Sequence, residues 1–421
     1  MADVQPLSAL HYALDRVGGL PPVVAPPYDV IDAELRARLA ARSPYNVVEI
    51  DLPHSDGDLD PYAHAAQLFN RWQADEILVR DPEPALWALA QDYTGPDGAE
   101  YTRKGFFARV RVEDYGPGRI RPHERTHPGP KEDRLRLTRA TRANLSPIFS
   151  LYDDPDGAAW SALSPHTETV PWGEVTDDDG TQHRLWRVQD EGALEAVTEA
   201  LKDTELLIAD GHHRYETARV YADEVGGEGD HRYVLMCLVA LQDPGLTVFP
   251  THRLLTALTD DQRTALREAL TRDWDMTEVA AEDLEPAAAT DARIRVGYLD
   301  AHHRRPLMLT LKDPAIADAA LPGMPEPYRR LDTAVLEALI LEGALGMTED
   351  DISDLHGLDY ARDFDQARER VEHGDAEAAF FMSPTPVEHV RDVAAAGVNM
   401  PPKSTYFFPK VLTGELFNPL A

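Results

Sequence analysis

Residues 206–220 read LLIADGHHRYETARV, and this stretch changes its character at the centre. An apolar run ends at Ala209, Asp210 and Gly211 are typical of a turn, and the pattern from His212 onward is helical. The stretch therefore predicts a buried strand, a tight turn and a helix in direct succession.

The predicted helix start carries groups that suit phosphate. Backbone N–H groups at a helix start bind anions, and glycine at position 211 lets the backbone approach a ligand closely. His212, His213 and Arg214 add side-chain donors at the same point. The alternative is that Asp210 merely caps the helix and that both histidines are ordinary surface residues. Zinc is disfavoured, because adjacent helical residues point about 100° apart and no HExxH spacing occurs.

Length and composition indicate a globular protein. The chain has 421 residues, 43% of them apolar, which is enough for two or three domains with cores. No apolar run approaches the roughly 20 residues that span a bilayer, and the start MADVQPLSAL lacks a secretion signal. We therefore expect a soluble, cytoplasmic protein without a membrane partner. The single cysteine, Cys237, excludes a disulfide or a cysteine-based zinc site within one chain.

The charge balance is strongly acidic. A formal net charge of −33 repels nucleic-acid backbones and argues against nucleic acid as a partner. Of the 41 basic residues only six are lysine, so a retained lysine is more often one that arginine cannot replace. Lys131, Lys403 and Lys410 all lie in motif-like stretches.

Strand and helix patterns alternate along the whole chain, which predicts a mixed α/β fold. Three segments are expected: an N-terminal segment over 1–84, a core over 85–255 and a C-terminal α/β domain over 256–421. Residues 116–134 are predicted to form a long loop before a helix. A second HHR sequence at 302–304 falls in a predicted hairpin turn, where we expect surface polarity only.

A second polar constellation lies within PHERTHPGPKEDR, residues 122–134. Glu124 is a candidate to accept a proton from a substrate hydroxyl, with His123 beside it. Lys131 and Arg134 are candidates to neutralise phosphoryl charge. The alternative is a charged loop that is simply solvated. The constellation also contains His127, Glu132 and Asp133.

Two further stretches have weaker signals. PPKSTYFFPK, residues 401–410, predicts an anion-binding turn at Lys403, Ser404 and Thr405, although the Walker A pattern is absent. The absence of GxGxxG argues against NAD or FAD chemistry. The proline-rich stretches near 23–31 and 43–53 fit rigid packing and function equally well; their polar members are Tyr28, Asp29, Asn46 and Glu49.

Five motifs in this order resemble a widespread bacterial and archaeal family, domain-of-unknown-function family 1015. They are APPYDVI, NVVEIDLP, PHERTHPGPKEDRLRLTRATRANLSPIF, ADGHHRYETA and MPPKSTYFFPK. Within that likeness, DGHHRY with an upstream PHE element resembles the ParB/sulfiredoxin superfamily, in which free serine kinases carry a DGHHR signature. The resemblance implies a ParB/sulfiredoxin-like nucleotide-binding core with N-terminal and C-terminal α/β elaborations. It further implies phosphate binding by residues 210–214 and a catalytic carboxylate at Glu124. Sulfiredoxin activity is disfavoured, since the signature lacks the cysteine.

These observations lead to a hypothesis of a nucleotide-dependent kinase that phosphorylates a small hydroxyl compound, plausibly free L-serine. A nucleoside di- or triphosphate is the expected donor, with Mg²⁺ bridging its phosphates and Asp210 as the candidate protein ligand. Residues 210–214 and 403–405 would bind phosphate, and His123, Glu124, Lys131 and Arg134 would serve the chemistry. The alternatives are a non-catalytic ParB-like nucleotide switch and a phosphoester hydrolase. The expected partners are nucleotide and substrate, with a homodimer as the candidate oligomer.

Overall fold

The computed structural model describes residues 2–55, 57, 59–95, 98–124, 126, 128–287 and 293–421. The chain divides into two units, each with its own sheet and core. Unit 1 comprises Met1–Pro122, Thr126–Thr247 and Pro409–Ala421, and unit 2 comprises His123–Arg125 and Val248–Phe408.

Strands of unit 1 alternate with helices along the chain. Its strands are β1 (Val4–Gln5), β2 (Leu10–Tyr12), β3 (Leu78–Arg80), β4 (Leu86–Thr94), β5 (Glu100–Arg111), β6 (Ile120–Arg121), β7 (Ala143–Asn144), β8 (Ile148–Tyr152), β9 (Gly173–Thr176), β10 (Gln182–Val188), β11 (Leu206–Asp210) and β12 (Tyr233–Ala240). Its helices are α1 (Leu14–Val17), α2 (Ala33–Ala40), α3 (Val48–Asp51), α4 (Pro61–Ala74), α5 (Pro128–Thr141), α6 (Ala158–Leu163), α7 (Glu191–Leu201) and α8 (His212–Val225).

Unit 2 continues the same alternation. Its strands are β13 (Thr247–Phe249, of which Thr247 still belongs to unit 1), β14 (His252–Leu255), β15 (Trp274–Glu278), β16 (Arg295–Asp300), β17 (Leu307–Leu311), β18 (Leu358–Ala361), β19 (Ala378–Phe381) and β20 (Tyr406–Phe408). Its helices are α9 (Asp260–Asp273), α10 (Pro314–Ala320), α11 (Glu326–Arg329), α12 (Asp332–Leu336), α13 (Glu349–Ser353), α14 (Phe364–His373) and α15 (Val387–Ala395). A last strand, β21 (Asn418–Pro419), belongs to unit 1.

The sheet of unit 1 positions the GHHR segment. Its order is β6-β11-β8-β12-β5-β4-β10-β9, with β1 joined to β5, and both parallel and antiparallel pairs occur. β12 lies in the middle, where its apolar run YVLMCLVA is buried on both faces. Helix α8 follows β11 and buries Tyr215 and Ala218 in the same core as Ile208 and Leu238. The strand end and the helix start are therefore both held by apolar packing.

The mixed α/β class predicted from the sequence is confirmed, as is the β4–β5 hairpin. The predicted loop over 116–134 is wrong in its second half, because α5 already begins at Pro128. Proline is tolerated in the first turn of a helix, where its missing N–H has no intrahelical partner to lose. The proline at position 128 therefore does not indicate a loop.

The two units also divide the chain differently from the three expected segments. Residues near the N-terminus do not stand apart, because β1 pairs with β5 through Val4 opposite Val110. The first unit ends near residue 247, and residues 409–421 return to it. There, Leu10 and Phe417 exchange backbone hydrogen bonds, and β21 pairs with β7.

In unit 2, a six-stranded sheet has the order β15-β17-β16-β19-β14-β18. Its core includes Trp274, Val296, Leu336, Ile340 and Phe380. Among the described residues of both units, no helix has the length and apolarity needed to cross a bilayer.

Candidate functional site

The predicted strand–turn–helix is confirmed at Leu206–Val225. Gly211 joins the two elements with φ of 96°, in the left-handed region that favours glycine. Within the described part of the chain no side chain caps the start of α8. Asp210 is therefore not a helix cap, and the simpler of the two interpretations of this motif is wrong.

Arg214 folds back over the turn. A Cβ atom at position 211 would lie 3.0 Å from its Nε, 3.1 Å from its Cζ and 3.2 Å from its Nη2, so a side chain there would crowd the guanidinium. The Nη1 atom donates to Ser146 Oγ at 2.8 Å and to the carbonyl of Pro147. The buried Nε has no hydrogen-bond partner among the described residues. A cationic donor is thus held at the helix start with one N–H still unsatisfied.

Asp210 lies between two cations. Lys410 Nζ donates to its Oδ2 at 2.7 Å, and Arg214 Nη2 lies 3.5 Å from its Oδ1. Burial opposes ionisation, but Lys410 and Arg214 outweigh it and hold the pKa of Asp210 far below its usual value. Because Lys410 and Arg214 already place two positive charges beside it, Asp210 is disfavoured as a ligand for a further cation such as Mg²⁺. No group of three or more His, Cys, Asp or Glu side chains that could hold a metal occurs in the described residues.

The two histidines of the motif differ in exposure. His212 is buried, with 5% of its surface exposed, and its charge contributes to the low pKa of Asp210. His213 is half-buried in the same first turn of α8. Neither is an ordinary exposed surface residue.

A buried ion pair lies close to Arg214. Arg134 Nη1 lies 3.0 Å from Asp51 Oδ1, and its guanidinium stacks 4.3 Å from the ring centre of Tyr28. Burial raises the pKa of Asp51 against the opposing effects of Arg134 and Arg214. A cavity of about 30 Å³ is lined by Asp51, Arg134, Ser146 and Arg214. Four separate motifs thus meet at one place in unit 1.

Lys131 lies at the start of α5, beside α8. Its carbonyl accepts a hydrogen bond from Thr217 Oγ1 at 3.5 Å, and its side chain is half-buried. The contact places the first turn of α5 next to the second turn of α8, and the predicted role of Lys131 stays a prediction.

Sequence reasoning missed Asp51 and Ser146, and it flagged Lys410 without giving it a role. The signal for Lys410 was the scarcity of lysine. Asp51 could have been found as an acidic residue in the apolar run VVEID, where only a paired carboxylate is tolerated. Ser146 had no signal, because its contact with Arg214 joins residues that are far apart in the chain.

A second network of polar side chains contacts the backbone of Lys410. Gln91 Nε2 donates to the Lys410 carbonyl at 3.0 Å, and Gln91 Oε1 accepts from Arg103 Nε at 2.9 Å. Close by, His183 Nδ1 lies 3.7 Å from Glu415 Oε1. Burial raises the pKa of Glu415 to about 8, and its oxygens have no hydrogen-bond partner among the described residues.

The other predicted site residues lie in unit 2. His123 is buried, and its Nε2 lies 2.9 Å from Thr405 Oγ1. The Ser404 hydroxyl donates to the Pro401 carbonyl at 2.7 Å, and its Oγ lies 3.1 Å from Thr333 Oγ1. The Ser404 hydroxyl therefore stabilises the PPKST turn itself, and the Thr405 hydroxyl is paired with His123, which disfavours this turn as an anion site. Lys403 is exposed, with φ of 57°.

Glu124 is half-buried in unit 2, and Tyr360 lies within range of its charge. Burial raises the pKa of Tyr360, and Glu124 adds to the effect. The predicted role of Glu124 as the catalytic carboxylate stays a prediction. His127, which belongs to the same constellation, lies outside the described residues.

Comparison with solved structures gives distant likenesses. A conserved hypothetical protein from Pyrococcus furiosus is 13% identical, with a TM-score of 0.37 over 74% of this chain and 93% of that one. A free serine kinase in complex with AMP is 14% identical, with a TM-score of 0.37 over 72% and 86%. A mutant of a free serine kinase in complex with ADP is 12% identical, with a TM-score of 0.38 over 72% and 87%. At these TM-scores the likenesses carry no information on the activity of this chain.

Among curated proteins, none matches the sequence. A match to the family described as "Protein of unknown function (DUF1015)" covers residues 4–334, well over half of the chain. The motifs quoted from the N-terminus through GHHR all lie in that range, and the chain belongs to this family.

Proposed function

We propose that this protein is a kinase that binds the phosphate groups of a nucleotide at the start of α8. The acceptor would be the hydroxyl of a small molecule, with free L-serine as the first candidate. One observation carries the proposal: Arg214, held over Gly211, presents a buried cationic donor at an uncapped helix start. Such a helix start attracts phosphate through its N–H groups and its dipole.

The roles of the remaining residues follow from charge. Phosphoryl transfer depends mainly on positioning and on neutralising charge. In the proposal, Arg214 and the backbone of residues 211–214 bind phosphate, and Lys410 keeps Asp210 ionised so that Asp210 orients Arg214. Lys131 is a candidate to approach the transferred group. Arg134 would act mainly through Asp51, because its own charge is already paired with that carboxylate.

Glu124 is proposed as the base that accepts the hydroxyl proton, on the strength of the PHE motif. Mg²⁺ enters as the counter-ion of the nucleotide, without Asp210 as its ligand, because Lys410 and Arg214 occupy the carboxylate. The nucleotide itself is a substrate, either ADP or ATP.

A product assay tests the proposal. Purified protein would be incubated with Mg²⁺, an amino-acid pool and either ATP or ADP, and phosphoserine would be sought by mass spectrometry. Formation of a phosphorylated small molecule supports a kinase. Tight nucleotide binding without any product would favour a nucleotide switch, and hydrolysis without transfer would favour a phosphoester hydrolase. Absence of nucleotide binding would contradict both the kinase and the nucleotide switch.

A further inference from the structure

Unit 1 contains a second cavity, of about 320 Å³, beside the N-terminal helices. We call it the Arg36 cavity; its polar lining consists of Asp32, Arg36, His54, Tyr62, Asp133 and Arg134. Pockets that hold small molecules begin at about 300 Å³. The volume is therefore suited to a compound of metabolite size.

Arg36 is the feature of this cavity that points to a ligand. Its side chain is only 12% exposed, and its Nε donates to the Leu52 carbonyl at 2.7 Å. The distance from its Nη2 to Glu49 Oε2 is 3.7 Å, which is too long for a hydrogen bond. This buried Nη2 has no hydrogen-bond partner among the described residues. A buried guanidinium with unused donors is costly unless an acceptor joins it, and a carboxylate matches its fork geometry.

Acceptors lie elsewhere on the cavity lining. Asp133 receives hydrogen bonds from Tyr62 Oη at 2.7 Å and from Arg134 Nε at 2.7 Å. It remains 44% exposed, and a carboxylate can accept about four hydrogen bonds in all. Asp32 caps α2 through the N–H of Leu35, which occupies one of its oxygens. A cationic donor group and carboxylates with spare capacity thus line the same small space.

The Arg36 cavity also adjoins the candidate phosphate site through one shared side chain. Arg134 lines both the Arg36 cavity and the smaller cavity that contains Arg214 and Ser146. A ligand in the Arg36 cavity would therefore lie against a side chain that also lines the smaller cavity.

We propose that the Arg36 cavity binds a free amino-acid zwitterion, with Arg36 as the anchor of its carboxylate and Asp133 facing its ammonium group. The identification of this ligand as the phosphoryl acceptor rests on the proposed function. The binding of an amino acid in the cavity is independent of that function. The cavity would then select for compounds that carry both charges on a short scaffold.

Binding without nucleotide separates the two ideas. Isothermal titration of the full chain with L-serine, with ethanolamine, which lacks the carboxylate, and with glycerate, which lacks the ammonium group, tests the ligand class. Serine, or another small amino acid from the same pool, should bind at least about tenfold more tightly than either analogue. Equal binding of ethanolamine, or no binding of any amino acid, would overturn the inference.

Arg36→Gln should weaken amino-acid binding by about 10- to 150-fold, and Arg36→Lys should restore only part of it, because lysine keeps the charge without the fork. Arg38→Gln is the matched control, since Arg38 lies on the same helix, is exposed and pairs with the exposed Glu34. Thermal unfolding of each variant shows whether it folds. If Arg36→Gln does not fold, the analogue series on the unaltered protein still tests the inference.

A folded Arg36→Gln variant that binds serine and phosphorylates it normally would refute the role of Arg36 and leave the kinase proposal intact. Amino-acid binding without phosphorylation would support the binding role of the Arg36 cavity and contradict the kinase proposal.

Discussion

The chain contains two nearly identical pentapeptides, DGHHR at 210–214 and DAHHR at 300–304, and they do different things. The first opens a fourteen-residue helix after a buried strand. The second is a turn between β16 and β17 in which His302, His303 and Arg304 are exposed. Identical side chains therefore differ in environment because of the elements that follow them.

The carboxylates of the two pentapeptides also differ in their partners. Asp300 accepts the backbone N–H groups of His302 and His303, at 2.9 and 2.6 Å, and so closes its own turn. Asp210 instead faces Lys410, which lies 200 residues away in the chain. Asp300 bonds to neighbouring backbone groups and stabilises a turn, whereas Asp210 pairs with a cation that is distant in the chain and forms part of a charged site.

The largest expected effect separates nucleotide binding, which we propose for the first pentapeptide, from the chemical step, which we propose for Glu124. Glu124→Gln keeps the size and hydrogen-bonding capacity of the side chain but removes the proposed base. Phosphoserine turnover should fall by about 10²- to 10⁴-fold while nucleotide affinity survives. Glu282→Gln, at an exposed position of the same unit, is the control. Unchanged turnover in Glu124→Gln would make the first pentapeptide a binding element whose chemistry lies elsewhere.

A smaller effect compares the two arginines directly. Arg214→Ala removes a charge-assisted contact to phosphate, so nucleotide affinity should fall by about 10- to 150-fold, or about 1.5–3 kcal/mol. Arg304→Ala should leave affinity unchanged, because Arg304 is exposed and, among the described residues, donates to the carbonyls of Ala301 and Glu372. Titration with a fluorescent nucleotide measures both. Equal affinities in the two variants would remove the distinction between the pentapeptides.

The smallest effect concerns stability in acid. The pKa of Asp210 is lower in the folded chain than its ordinary value of 3.8, so Asp210 adds stability above pH 3.8 that is lost as the pH falls further. Because both partners are mostly buried, Asp210→Asn should cost about 1–2 kcal/mol at pH 7 and flatten the loss of stability below pH 4. Lys410→Met should reproduce the flattening, since it removes the main cause of the shift. Urea unfolding at a series of pH values would show this, and a steep acid limb retained in both variants would be evidence against the pair.

The sequence predicted what depends on local pattern. The apolar run ending at Ala209, the turn at Gly211 and the helix after it were all visible, and so was the exposed turn at 301–304. What could not be predicted depends on contacts between distant residues. The pairing of Arg134 with Asp51, and of Asp210 with Lys410, leaves no periodic trace in the chain.

Two further expectations also depend on contacts between distant residues. The PPKST turn has the composition of an anion site, but Ser404 and Thr405 are engaged by Pro401, Thr333 and His123, and only the folded unit reveals that. The two units differ from the three expected segments because strand order, rather than composition, decides which residues share a sheet. β1 joins β5 across a hundred residues.

The return of residues 409–421 to unit 1 has a consequence for biosynthesis. These residues supply Lys410, Glu415 and the β21 strand, yet the ribosome makes them only after the whole of unit 2. While unit 2 is being translated, the nascent first unit lacks the cation that pairs with Asp210 and the Phe417 backbone that pairs with Leu10. The proposed nucleotide site would therefore be completed only after unit 2 has been translated.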